Sequence, residues 1–176
     1  GTFAGLKALR RLYWQSFGRT GGSRNDVFVP DVSSCPSLEF LNMPENNFSG
    51  PVPAFITNDQ IRYVNLSKNK LSGPVPEYTN RLRLYYINLR NNQLESFPGF
   101  SSLPSLEYLY LQNNSTLSGT IPNLTDSTSN LRRVYLFNCA FDRYTQGSFV
   151  GLSRIDRIFM ANNDLGESDV NNIIED

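Results

Sequence analysis

The sequence predicts an α/β solenoid, a stack of short parallel strands each joined to the next by a return segment, and three observations lead there. One apolar pattern recurs along nearly the whole chain every 22–25 residues, the mark of stacked supersecondary units rather than of one irregular core. Within each copy apolar and polar residues alternate across the centre, the period of a strand with one buried face. Five of six copies place an asparagine just after that strand, where the chain turns and a side-chain amide can both donate to and accept from buried peptide groups.

The copies follow the form LxxLxLxxNxL. They read Leu38, Leu41, Met43, Asn46, Phe48; Ile61, Val64, Leu66, Asn69, Leu71; and Leu84, Ile87, Leu89, Asn92, Leu94. Leu106, Leu109, Leu111 and Asn114 follow, then Leu117 after one extra residue; the last two are Leu131, Val134, Leu136, Cys139, Phe141 and Ile155, Ile158, Met160, Asn163, Leu165. A seventh, irregular copy opens the chain with Leu9, Leu12 and Trp14, and has Phe17 where the others have Asn. TFAGLKALRRLYW, GFSSLPSLEYLYL and SFVGLSRIDRIFM support its register by aligning Phe3, Phe100 and Phe149 with Leu6, Leu103 and Leu152 three residues on. The gap from Leu9 to Leu38 is 29 residues, which places an insertion in Gly18–Asp26. That segment lacks the GxxxxGKS/T arrangement of a phosphate cradle and is expected to be a surface loop.

Asn46, Asn69, Asn92, Asn114, Cys139 and Asn163 are expected to form a structural ladder, with the small, weakly donating Cys139 thiol as a substitute rung. Cys35 reads as a packing residue. After the ladder position, FSGPVP at Phe48–Pro53, LSGPVP at Leu71–Pro76 and LSGTIP at Leu117–Pro122 complete three copies. These motifs resemble the leucine-rich repeat family, in its plant-type form LxxLxLxxNxLSGxIP. The likeness covers the whole chain in the strand half of the repeat and three copies in the other half. It implies a curved right-handed array with a parallel sheet on the concave face and 3₁₀ or extended returns on the convex side.

Over 166–176 the period changes. Ser168 is expected to cap a helix with Asp169 in its first turn and Val170, Ile173 and Ile174 on one apolar face, closing the core. The pattern is similar to short segments that close some bacterial and marine phage repeat proteins. Residues 1–176 are thus expected to form a single domain of about seven repeats with a terminal cap; a start at Gly1 and Thr2 without Met predicts a segment of a longer protein.

Composition narrows the function. Sixteen Lys and Arg balance sixteen Asp and Glu, so no global field draws the chain to nucleic acid or to an anionic membrane. No apolar run approaches the roughly 18 residues of a membrane span, so no membrane insertion is expected in this segment. The absence of histidine removes the commonest general base and zinc ligand, the carboxylates are scattered, and the chain is expected to be no enzyme and to need no cofactor or metal. Asn47, Asn65, Asn113, Asn114 and Asn123 each begin an N-x-S/T sequon, compatible with glycosylation in a secretory pathway or with chance in repeats rich in Asn, Ser and Leu.

The resemblance implies that the third, fifth, seventh and eighth positions of LxxLxLxxN point outward. The third column is Arg11, Phe40, Tyr63, Tyr86, Tyr108, Arg133, Arg157, and the fifth is Tyr13, Asn42, Asn65, Asn88, Tyr110, Tyr135, Phe159. The seventh includes Ser67, Arg90, Gln112 and Phe137. Nine of these 28 outward positions are aromatic, far above the 12% of the chain as a whole. Tyr and Arg combine large contact area with polar tips and dominate binding hot spots, although cross-strand ring packing can also serve stability alone. The candidate ligand-binding residues are Tyr63, Tyr86, Arg90, Tyr108, Tyr110, Arg133, Tyr135, Phe137, Arg157 and Phe159, with the C-terminal group Tyr110, Tyr135, Phe137 and Phe159 favoured over the amide row Asn42, Asn65 and Asn88.

The expected role is a recognition module, extracellular or on a cell or virion surface, for a protein or carbohydrate ligand. Alternatives are an enzyme inhibitor, which an acidic concave strip would favour, and a targeting arm of a larger enzyme, effector or virion protein. Ligand identity and oligomeric state stay open.

Overall fold

The computed structural model describes residues 3, 5–15, 27–55, 57–100, 102–124 and 130–170. The insertion expected at Gly18–Asp26, and Ile173 and Ile174 of the terminal cap, lie outside the described residues.

The seven copies give seven strands of one parallel sheet. In chain order they are β1 (Arg11–Tyr13), β3 (Phe40–Asn42), β5 (Tyr63–Asn65), β7 (Tyr86–Asn88), β9 (Tyr108–Tyr110), β11 (Arg133–Tyr135) and β13 (Arg157–Phe159), each beside the next. Register is in step with the motif throughout, Leu41 facing Val64, Val64 facing Ile87 and Ile87 facing Leu109. The irregular first copy also obeys it, with Leu12 beside Leu41.

Sequence reading expected extended returns; the structure organises part of them into a second parallel sheet. Its strands are β2 (Val27–Phe28), β4 (Phe48–Pro51), β6 (Lys70–Pro74), β8 (Gln93–Ser96), β10 (Ser118–Ile121) and β12 (Ala140–Tyr144). Three of them hold the SG dipeptide of the plant-type motif. Gly50 sits at φ 76 with the Phe28 ring over it, and a Cβ there would stand 2.6 Å from the ring, so glycine meets a backbone and a packing demand together. The remaining return is a series of i→i+3 turns: Asn58 N–H donates to Phe55 O and Ile61 N–H to Asn58 O, and the pattern recurs at Arg81 and Leu84.

Between the sheets lies the core. The first, fourth and sixth motif positions of the five central copies, such as Leu84, Ile87 and Leu89, are fully buried. In the outer copies Leu9, Leu12, Ile155, Ile158 and Met160 are only partly buried, because a terminal repeat has one neighbour to stack on. Leu6, Leu103 and Leu152 share the turn column with Cys35, and Cys35 is fully buried as expected.

The amide ladder forms between repeats. Asn92 Nδ2 donates to Leu89 O of its own copy at 2.9 Å and to Leu66 O of the preceding one at 3.1 Å, while its Oδ1 accepts from Leu71 N at 3.0 Å. Asn69, Asn114 and Asn163 repeat this geometry, and Asn46 donates in the same manner to Trp14 O and Met43 O. Cys139 keeps the donor side, its Sγ lying 3.5 Å from Leu111 O. It has no amide oxygen for the Leu117 N–H, which instead donates to Asn114 O at 2.9 Å. The extra residue before Leu117 bends that turn back on itself, so the insertion and the Asn-to-Cys replacement compensate each other.

At the C-terminus one helical turn covers 167–170, and Val170 N–H donates to Gly166 O. Gly166 therefore holds the cap position and Ser168 lies within the first turn, which corrects the expected start. Asp169 instead reaches back to accept from Tyr144 N at 2.9 Å, tying the turn to the end of β12.

Candidate functional site

Because the seven-stranded sheet is parallel and in register, each motif position becomes a column running across it, with neighbours about 4.8 Å apart. On the third-position column Phe40 and Tyr63 lie 5.9 Å apart between ring centroids, and Tyr63 and Tyr86 stack at 4.3 Å with planes 7° apart. At β7 and β9 the row changes column, since Tyr86 contacts both Tyr108 (6.0 Å) and Tyr110 (5.6 Å). On the fifth-position column it continues from Tyr110 to Tyr135 (5.0 Å, 85°) and from Tyr135 to Phe159 (4.9 Å, 89°), both edge to face, with Phe137 beside Tyr135 at 6.3 Å. Candidate aromatics that sequence could only place on separate columns thus form one diagonal row.

Cations sit on the row at its N-terminal end and at its middle. Arg11 lies over Phe40 at 5.2 Å, and Arg133 over Tyr108 at 5.8 Å. Arg133 also pairs with Asp156 at 3.3 Å, and that carboxylate is the first cause holding its guanidinium above the usual value. Arg90 and Arg157 make no ion pair and no ring stack among the described residues.

Burial, then the nearby Tyr86 hydroxyl, pushes Tyr63 up to about 12. Tyr110 is raised for the same two reasons, and Tyr85 by burial and by the Glu107 carboxylate. The shift direction keeps these phenols neutral at physiological pH, so they offer hydroxyl donors and acceptors rather than charge.

Two expectations about the columns change. The seventh position is not uniformly outward: Ser67 and Gln112 are buried, because the chain there is already turning back towards the core, and Gln112 Oε1 and Arg90 Nε are enclosed without a hydrogen-bond partner. The amide row also breaks. Asn65 Nδ2 donates to Asn42 Oδ1 at 2.9 Å, but Asn88 Nδ2 turns to the Tyr86 hydroxyl at 3.2 Å.

Sequence reasoning gave the second column no role, and it placed the eighth column outward without foreseeing the contacts along it. At the second position Arg10 pairs with Glu39 (3.2 Å), Arg62 with Glu39 (3.8 Å) and Arg132 with Glu107 (3.2 Å), while Tyr85 packs against Tyr63 at 6.4 Å. Their signal was legible in the alternating charge of Arg10, Glu39, Arg62, Tyr85, Glu107, Arg132 and Asp156. Solvent screens such bridges, so their main effect is to neutralise acids along one flank. At the eighth position every described residue from Glu45 to Asn162 has positive φ, a region that Asn tolerates better than most residues. Asn138 Nδ2 donates to Asn113 Oδ1 at 2.7 Å and Asn162 Nδ2 to Asn138 Oδ1 at 2.7 Å, an exposed amide row alongside the C-terminal rings. In the N-terminal half Glu45 takes this place, bridged to Lys68 and accepting from Gln15, and these contacts hold its carboxyl below the usual range.

Away from this sheet a cleft of about 550 Å³ opens between the returns of the first and second copies, lined by Phe28, Pro30, Val32, Pro51, Val52 and Phe55 among others. Its polar members are spent within the fold, Asp31 on Ser33 N and Asn58 on Val32 O and Cys35 O. The seven-stranded face is the better candidate. Among the described residues no group of metal-ligating side chains occurs, and no helix is long and apolar enough to cross a membrane.

Comparison with known proteins agrees with this architecture. A family model described as leucine-rich repeats (2 copies) matches residues 83–126. No curated protein matches the sequence. Among solved structures, a plant peptide hormone receptor, RGFR1, in complex with RGF2 superposes with a TM-score of 0.76 at 25% identity, over 96% of this chain and 27% of that one. A pollen receptor kinase 3 gives 0.72 at 23% identity over 89% and 75%, and PEPR1 bound to AtPEP1 gives 0.53 at 25% over 78% and 23%. This chain therefore spans about a quarter of the length of the two peptide-bound receptors.

Proposed function

We propose that this chain, an array of leucine-rich repeats, is the ligand-recognition part of an extracellular protein, and that a peptide or protein segment docks across the C-terminal half of its seven-stranded face. The observation that carries this reading is the Tyr110, Tyr135 and Phe159 row. These rings meet at right angles, covering less of each other than stacked rings would, and Phe159 remains 48% exposed. Exposed aromatics beside the unpaired Arg157 and the outward amides of Asn138 and Asn162 supply the contact area, charge and directional polar groups that peptide recognition uses. The peptide-bound receptors with this fold support the choice of partner class.

A carbohydrate platform is less well served. Sugar stacking needs a run of open ring faces, and in each edge-to-face pair one face is covered by its neighbour. An inhibitor with an acidic strip is not favoured either, since Glu39, Glu45, Glu107 and Asp156 are all bridged to cations. The test is capture from peptide libraries, surface-protein extracts and glycan arrays, comparing the native chain with a Tyr110→Ala, Tyr135→Ala, Phe159→Ala variant. Peptide or protein capture that the folded variant loses is expected; equal capture by both removes the proposed site, and selective glycan capture removes the partner class.

A further inference from the structure

We propose that Asn47 is an N-glycan acceptor, and that among Asn47, Asn65, Asn113 and Asn114 it is the sequon asparagine whose modification the fold accommodates. The inference rests on the extracellular reading above and concerns a site remote from the C-terminal rings. Glycan transfer precedes folding, so the folded structure acts as a filter on which glycans survive.

At Asn114 the side chain is fully buried, and its Nδ2 serves Leu89 O and Leu111 O while its Oδ1 holds Leu94 N. A sugar on that nitrogen would remove a rung of the ladder and has no room. Asn65 spends its Nδ2 on Asn42 and its Oδ1 on Ser67 N, within the central sheet. Asn113 is occupied on both atoms, donating to Asn91 and accepting from Asn138.

Asn47 differs from all three. It is exposed, its amide makes no hydrogen bond among the described residues, and its equivalents in the next two copies, Lys70 and Gln93, are exposed as well. The two backbone neighbours carry the structural duties: Asn46 donates to Trp14, Met43 and Pro44 carbonyls, and Phe48 N is held by Asn69 Oδ1. The third sequon residue gives a second observation. Ser49 Oγ is buried without a hydrogen-bond partner, so its hydroxyl contributes no bond to the fold, whereas sequon recognition requires it.

In the transfer, Asn47 Nδ2 forms a bond to the anomeric carbon of an oligosaccharide carried on a polyprenyl diphosphate. The anomeric carbon–oxygen bond breaks, the polyprenyl diphosphate leaves, and the displaced amide proton passes to solvent.

The experiment is expression of the chain behind a cleavable leader in a eukaryotic cell, then peptide N-glycosidase treatment in heavy-oxygen water and peptide mass mapping of secreted and retained material. Labelled aspartate at position 47 in most secreted molecules is expected, with Asn65, Asn113 and Asn114 unlabelled. Asn47→Gln and Ser49→Ala should each lose the label while keeping secretion and the melting transition. Unlabelled Asn47 in secreted protein overturns the proposal, as does label at Asn114 in folded protein, or retention of the native chain that Asn47→Gln relieves. Ligand capture by Asn47→Gln, measured on the same material, tests the binding reading separately.

Discussion

The two halves of the seven-stranded face are built from the same repeat but differently supported. In the N-terminal half Tyr63 and Tyr86 lie flat on each other, Tyr85 packs beside them, and the ladder beneath consists of Asn69 and Asn92 with full amide geometry. In the C-terminal half Tyr110, Tyr135 and Phe159 meet edge to face; Asn114 and Asn163 hold the copies of the first and last, while the Tyr135 copy has Cys139, which donates weakly and accepts nothing from Leu117. Stacked rings have spent their surface on one another. Rings that meet edge to face keep more surface for a partner, and on the proposed reading that division makes one half a brace and the other a binding surface.

Substitution of the ladder should separate the halves most strongly. Asn92→Ala strands two carbonyls and the Leu71 N–H, and at about 1–3 kcal/mol for each buried group left unpaired it should destabilise by about 3 kcal/mol or more in urea titration. Cys139→Ala is expected to cost about 1 kcal/mol or less, and Cys139→Asn to give no gain, because Leu117 N–H already has Asn114 O. A gain of more than about 1 kcal/mol in Cys139→Asn would show that the extra residue does not compensate for the missing amide.

Binding should divide the other way. The Tyr110, Tyr135 and Phe159 triple variant is expected to weaken ligand binding by at least about a hundredfold while remaining folded, with a melting temperature lowered by the lost ring contacts. Tyr63→Ala should instead lower stability by roughly 1–2 kcal/mol, through lost stacking and half-buried area, and leave affinity nearly unchanged. If calorimetry and binding assays found the opposite pattern, the assignment of brace and site would be reversed.

A smaller effect should appear in alkali. Tyr63 has a folded pKa raised to about 12 against 10 when unfolded, so the unfolded chain releases the proton first. Its contribution is fully present below pH 10 and is lost as pH rises towards 12. Ultraviolet titration should therefore show Tyr63 ionising late, and Tyr63→Phe should flatten the loss of stability across that window.

Much of this arrangement was legible beforehand. Leu38 to Leu165 spelled out the strands, and Asn46, Asn69, Asn92, Asn114 and Asn163 announced the ladder, because burial and turn chemistry act on residue types at fixed spacing. Tyr85 was missed because its position was assigned no face; the Asn113–Asn138–Asn162 column was placed outward, but its amide-to-amide bonds depend on side-chain orientation that spacing does not carry. Ser168 was misplaced because a lone good capping residue outweighed the glycine two positions earlier.

The sequence by itself determined the repeat, its register and the columns on which each side chain stands, since a period of 22–25 residues leaves one way to bury the apolar positions. Only the tertiary structure decided that the returns pair into a second sheet, that the aromatic row crosses from one column to the other at β7 and β9, and that Tyr63 and Tyr86 stack while Tyr110, Tyr135 and Phe159 meet edge to face. Columns follow from backbone periodicity, whereas ring orientation depends on rotamers chosen against neighbours 22–25 residues away, and those neighbours meet only after the array has closed.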